Sequence, residues 1–197
     1  DDFEGNFNKW SGDLLGTGAS LSLSTDSAFA GLQSAKLVTG NVISDFARIY
    51  LMMGYPYLTR FGLELHFTIP DALVYLQVGF SLYNGTNYLL PQIRLITSTA
   101  KLQYNNSAGV YTDFATGLLI PTGNKLWQFL KLVCDFSSQK YIRCHWNEKA
   151  YDLSDKAIQA IASATAPQLV VSIALVTLAA ANKTSFVDNV IVTQNEP

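Results

Sequence analysis

Two sets of residues in this chain carry side chains suited to holding something. The first is Asp2, Glu4 and Asp188, three carboxylates at opposite ends of the sequence. In a two-sheet β-sandwich the first and last strands often lie side by side, which would bring the three together. Three carboxylates with backbone carbonyls meet calcium's need for six to eight oxygens. Such an ion braces the chain ends and takes no part in catalysis; otherwise the three are solvated terminal carboxylates. The second set mixes aromatic, amide, guanidinium and imidazole groups: Tyr75, Gln77, Tyr83, Gln92, Arg94, Glu64, His66, Tyr141, Arg143 and His145. Aromatic planes stack on the apolar face of a sugar ring, and planar amide and guanidinium groups hydrogen-bond its hydroxyls. On one curved sheet face these groups form a shallow carbohydrate-binding groove. On a flat face they are ordinary cross-strand polar pairs or a subunit contact.

The elements that must position these groups are strands. Runs of strand character recur at 21–24, 35–39, 47–53, 61–69, 74–83, 88–97, 102–105, 110–114, 127–136, 141–146, 169–178 and 185–193. Turn residues separate them, among them Asn84-Gly85, Asn105 to Gly109, Pro121 to Asn124 and Asn147-Glu148. Short strands at this spacing predict an antiparallel sandwich rather than βαβ units. Leu63, Leu65, Phe67 and Ile69 share one face, opposite Glu64, His66 and Thr68. Val74 to Leu82 alternate with Tyr75, Gln77, Gly79, Ser81 and Tyr83 in the same way. Residues 169–178 are apolar on both faces, which marks a central, doubly covered strand or an assembly contact. Ser154 can cap one short helix over 154–162, ahead of Pro167.

Bulk properties exclude some functions. At 197 residues the chain reads as a single domain, 1–197, long enough to bury a full core. Charged residues are only 14% and the net charge is −2, so no broad basic surface draws nucleic acid or acidic lipid. With 49% hydrophobic residues, part of the surface is expected to be covered by a partner, and self-association into a homo-oligomer is the expectation. Met52, Met53, Tyr55 and Tyr57 form an exposed-looking cluster consistent with it. Residues 157–181 lack charge, but Pro167 and polar residues interrupt them, so no membrane span is expected. The chain starts at Asp1 and reads as a mature or trimmed product.

The opening Asp2-Phe3-Glu4-Gly5 with Trp10, the hairpin from Trp127 to Asn147 and the close Val187-Asp188-Asn189-Val190 resemble the concanavalin A-like lectin and glucanase sandwiches. The likeness spans most of the chain and marks a scaffold. Carbohydrate-binding modules, laminin-G-like domains, glycan hydrolases and lyases and viral particle domains share that scaffold. The resemblance implies an all-β, antiparallel two-sheet jelly roll, often with structural calcium near its ends. The glucanases of this fold carry Glu-x-Asp-x-x-Glu on one strand, because retaining hydrolysis needs two close carboxylates. Here Glu64 is followed by Leu65, His66, Phe67, Thr68 and Ile69, and the motif is absent. A lyase could use His66, Gln77 or Gln92, Arg94 and a tyrosine for proton abstraction, but not in the spaced motifs of known lyases. No nucleophile elbow, phosphate loop or histidine cluster occurs.

The leading expectation is therefore a non-catalytic module that binds carbohydrate, placed outside the cell, on a cell surface or on a virion. A self-assembling phage, virus or surface-layer subunit is the alternative, and a polysaccharide lyase or hydrolase a third. Sequons at Asn84, Asn105 and Asn182 agree with an extracellular setting. A hairpin centred on Gln139 would place Cys134 opposite Cys144. Directly cross-strand bridges are geometrically demanding, so buried, reduced thiols are expected.

Overall fold

Alternation along the strands decides which side each one buries. The computed structural model describes residues 1–197. Its strands are β1 (Ser11–Leu15), β2 (Ser20–Ser24), β3 (Ser34–Val38), β4 (Phe46–Gly54), β5 (Arg60–Ile69), β6 (Val74–Tyr83), β7 (Asn87–Leu89), β8 (Gln92–Ile96), β9 (Lys101–Asn105), β10 (Tyr111–Ala115), β11 (Gly123–Asp135), β12 (Lys140–Trp146), β13 (Lys149–Asp152), β14 (Ala160–Ala162), β15 (Gln168–Thr177) and β16 (Thr184–Gln194). They form two antiparallel sheets. One is nine-stranded, ordered β1-β4-β15-β6-β8-β9-β10, with β7 and β14 attached beside β6. The other is seven-stranded, ordered β13-β12-β11-β5-β16-β3-β2.

Cross-strand register aligns the inward side chains in rows. Ala47, Leu175, Leu76, Leu95 and Leu102 form one row across five strands of the larger sheet, and all are buried. Phe61, Leu63, Leu65 and Phe67 face them from β5, with Leu130 and Leu132 alongside on β11. Each of these leucines and phenylalanines contributes ~1.5–3 kcal/mol of burial. No helix of the structure is long and apolar enough to cross a membrane.

Three expectations are corrected. Residues 154–162 form no helix. Their backbone is spent on neighbours instead: Tyr141 N–H donates to Lys156 O at 3.1 Å, Ile158 N–H to Gln139 O at 2.8 Å, and Leu90 N–H to Gln159 O at 3.0 Å. Ile158 is buried against the core. A nine-residue helix is too short to persist alone, and tertiary pairing wins. The run 88–97 is two strands, because Leu90 and Pro91 interrupt it between β7 and β8. The β11–β12 hairpin carries a register shift between Val133 and Cys134. Leu132 therefore faces Cys144, and Cys134 faces Tyr141. Both cysteines are free thiols, and burial pushes both well above the ordinary range.

The first and last strands do not pair. β1 edges the nine-stranded sheet, and β16 lies inside the other. The chain ends still meet, because Val190 N–H donates to Asp1 O at 2.9 Å and the Asp1 ammonium donates back to Val190 O.

Candidate functional site

The doubly apolar strand β15 lies at the centre of the nine-stranded sheet, between β4 and β6. Its outward residues are Val170, Ser172, Ala174 and Val176, which are small or short. Longer side chains rise on both flanks, so the strand becomes the floor of a groove. One stretch, about 320 Å³, is bounded by Arg48, Tyr50, Ser81, Tyr83, Tyr88 and Gln92. A second, about 150 Å³, is bounded by Phe46, Arg48, Tyr75 and Gln77. Arg48 and Ser172 line both, so the two join into one channel along β15. From Val170 to Val176 this is ~20 Å of strand. Tyr83 and Tyr88 stack with ring centroids 5.1 Å apart at one end. Arg48 lies 5.8 Å from both the Phe46 and Tyr50 rings and pairs with Asp13 of β1.

Behind the β6 wall lies a polar network. The Arg94 guanidinium sits between two tyrosines, 3.6 Å from the Tyr111 ring centroid and 4.4 Å from that of Tyr75. It donates to Gln77 Oε1 at 3.0 Å. The Tyr111 hydroxyl lies 3.0 Å from Gln77 Oε1 and 2.6 Å from Gln92 Oε1. Burial raises the Tyr111 phenol, against the opposing pull of Arg94, so it stays protonated at neutral pH. The Nε atoms of Arg94 and Arg48 are both buried without a hydrogen-bond partner. Gly79 belongs to this face because a Cβ there would meet Pro91 O at 2.2 Å and Gln92 Cα at 2.9 Å. Gly79→Ala is expected to cost about 1–3 kcal/mol by overpacking and to displace Gln92. A shift in the urea midpoint, together with weakened ligand binding, checks this.

Tyr75, Gln77, Tyr83, Gln92 and Arg94 thus come together on one face. The other expected members do not. His66, Arg143 and His145 lie on the outward face of the seven-stranded sheet, across the sandwich from Gln77, Gln92 and Arg94. The grouping of His66 with these residues for proton abstraction is therefore broken. Arg143 is occupied by the chain's own end: it pairs with Glu196 at 2.9 Å and donates to Pro197 O at 2.6 Å. Lys131 pairs with Glu196 at 2.8 Å and Glu64 at 3.3 Å. Burial disfavours the Lys131 charge, but hydrogen bonds to Glu196 and Glu64 outweigh it and raise its pKa. Tyr141 is not on a wet face at all. The bulge turns it into the core, where its hydroxyl accepts from Gln92 N–H at 3.0 Å and donates to Asn105 O at 2.7 Å. Its partners place it as a bolt between the two sheets, below the groove.

Both histidines titrate below their usual range. Burial lowers His66, which stacks on Phe29 at 3.6 Å. Burial, then Arg143 and Lys131, lower His145. A histidine whose folded pKa is depressed adds stability above its unfolded value of ~6.5, and that stability is lost as pH falls through the folded pKa. Melting temperature is expected to fall between pH 7.5 and pH 5. Replacing both histidines with glutamine should flatten that dependence.

At the chain ends, Asp188 is fully buried and anchors the loop after β2. Its carboxylate accepts from Phe29 N–H at 2.8 Å, Ala30 N–H at 3.1 Å and Asn189 N–H at 2.7 Å. Glu4 holds the same loop further on, accepting from Leu32 N–H at 2.6 Å and Gln33 N–H at 2.9 Å. Asp2 instead turns back onto Glu4 N–H at 3.3 Å. No group of three or more acidic, histidine or cysteine side chains gathers as a metal cluster. Asp188 and Glu4 thus hold one loop between them through its backbone N–H groups.

Arg48, Tyr50, Tyr88, Tyr111 and Ser172 escaped the sequence reading. A signal existed for the first two, which alternate with Ala47, Ile49 and Leu51. Tyr111 had none, because its role depends on β10 lying near β6.

No protein-family profile matches the chain. No curated protein sequence matches it either. Solved structures do. Cellulose induced protein Cip1 superposes with TM-score 0.63 at 16% identity, covering 98% of this chain and 95% of that one. The endo-β-1,4-glucuronan lyase from the fungus Trichoderma reesei gives 0.65 at 12% identity, covering 99% and 94%. The potassium-bound carbohydrate recognition domain of Emp46p gives 0.58 at 10% identity, covering 100% and 94%. With two antiparallel sheets in the same arrangement over nearly the whole length, the chain has a concanavalin A-like β-sandwich fold.

Proposed function

We propose that this chain is a carbohydrate-binding module whose site is the groove along β15. The observation that carries the reading is the groove itself: an apolar floor of Val170, Ser172, Ala174 and Val176 walled by Tyr50, Tyr83, Tyr88, Arg48 and Gln77. Sugar rings offer alternating apolar faces and hydroxyl edges, and this lining offers a partner for each. The fold is shared with a carbohydrate recognition domain and a polysaccharide lyase, which supports the ligand class. Binding rather than cleavage is favoured by the side chains present. The groove lining holds no histidine and no carboxylate, and burial moves the phenol behind its β6 wall, Tyr111, further from neutrality. A glycan array followed by calorimetry tests the reading. Binding that Tyr50→Ala and Tyr83→Ala weaken with melting unchanged supports it, and silence across a broad panel removes it.

The proposal includes a cation at the Ser27 to Gln33 loop, taken as calcium. Glu4 and Asp188 would hold it with loop carbonyls, and it would brace the chain ends. Adding a chelator is expected to lower the melting temperature by several degrees, restored by calcium. No change with chelator removes this part and leaves the groove reading intact.

A further inference from the structure

We infer that the groove selects an acetylated sugar, and that Gln77 recognises the acetyl carbonyl; this rests on the groove reading above. The orientation of one amide comes first. Arginine carries donors and no acceptor, so the Gln77 atom 3.0 Å from the Arg94 guanidinium is its oxygen. The Tyr111 hydroxyl stands 3.0 Å from the same oxygen. With Oε1 held from behind, the Nε2 end of Gln77 turns the other way. It has no partner in the protein and is not buried, and Gln77 lines the smaller stretch of the groove. The wall therefore offers a fixed N–H donor. Arg94 positions that donor and does not itself line the groove.

Register then places the donor. Gln77 and Arg48 face each other across Ala174, and in the next outward row Tyr75 and Phe46 face each other across Val176. A polar row thus borders an apolar one. Arg48 is paired with Asp13, so the polar row suits a neutral acceptor and not an anion. A sugar hydroxyl there would need an acceptor for its own proton, and no carboxylate or free amide oxygen lines this stretch. An acetyl carbonyl accepts from Gln77 and has no proton to place, while its methyl covers Val176 and Phe46. Size agrees with this division. Ligand pockets hold roughly 300–1,000 Å³. The stretch beside Tyr83 and Tyr88, about 320 Å³, suits sugar rings, and the stretch at Gln77, about 150 Å³, suits a substituent.

The test is calorimetry of the intact chain against two pairs that differ in acetylation. Chitohexaose with cellohexaose tests an N-acetyl group, and O-acetylated xylan with its alkali-deacetylated form tests an O-acetyl group. The acetylated member of at least one pair is expected to bind roughly tenfold tighter or more, and the pair that discriminates tells the amide from the ester. Gln77→Glu keeps the shape and the contact with Arg94 but puts an acceptor where the donor was, so it should erase the preference. Arg94→Gln lets the amide turn and should lower the ratio of acetylated to plain affinity several-fold, which a loosened sheet alone would not do. Gln77→Glu keeps the inference testable should Arg94→Gln fail to fold. Equal affinity within both pairs overturns the inference and spares the groove. A preference that survives Gln77→Glu removes Gln77 from the recognition. A ratio unchanged in Arg94→Gln removes the positioning role of Arg94. If none of the four binds, the acetyl assignment is overturned, and the broad glycan panel decides the groove.

Discussion

Asp188→Ala is expected to destabilise the fold by about 3–4 kcal/mol, among the largest losses any single substitution here would produce. The carboxylate is fully buried and accepts three backbone N–H groups, two of them from a loop some 160 positions away in sequence. Removing it leaves those donors unpaired in the interior, each costing ~1–3 kcal/mol less any relief from entering water. It also frees the loop that places Phe29 over His66. Asp188→Asn retains one acceptor and is expected to cost about half as much. Urea unfolding at neutral pH checks both variants. A loss under ~1 kcal/mol for the alanine variant means the loop is held by other contacts and the end brace is unimportant.

Ser172→Trp is expected to abolish glycan binding while leaving the fold in place. Ser172 lies in the middle of the floor and borders both stretches of the groove. Its side chain points outward between Tyr50 and Gly79 in the cross-strand register. An indole there fills the channel where a sugar ring must lie, at a point that buries no core group. Strand centres tolerate aromatic residues, so the melting temperature should move little. Affinity should fall by at least roughly a hundredfold, since the ligand must give up its central contacts. Retained binding places the ligand elsewhere on the molecule and ends the groove proposal.

Strand pattern was legible because burial is one-sided: Leu63, Leu65 and Phe67 alternate with Glu64 and His66, and β5 forms where that alternation lies. What alternation cannot specify is strand order. His66 and Gln77 both read as outward-facing, and they are, but on opposite sheets. A periodic pattern says which side of a strand is wet and not which wet side of the molecule it faces. The Tyr141 error has a different origin. One extra residue at the hairpin bulge reverses every facing beyond it, and nothing in Cys134 to Cys144 announces that bulge. The helix expected over 154–162 failed because the competing partners, Gln139 in the β11–β12 turn and Tyr141 on β12, lie on a hairpin that local propensity does not see. Of the site, the tyrosines and amides of β6 and β8 were recognisable by type. Arg48 and Tyr111 became members only when β4 and β10 were brought to the same face.

The placement of β15 and β16 has a consequence for how the molecule comes into being. Each sits inside its sheet, β15 between β4 and β6, β16 between β5 and β3. Both are made last. During synthesis on the ribosome, neither sheet can close until the residues from Gln168 onward have emerged. Until then β3, β4, β5 and β6 present open edges able to pair with other nascent chains. Closure of both sheets thus waits on these two strands, a long-range pairing on a scale of milliseconds to seconds. A chain released before Gln168 is an aggregation hazard and not a smaller domain.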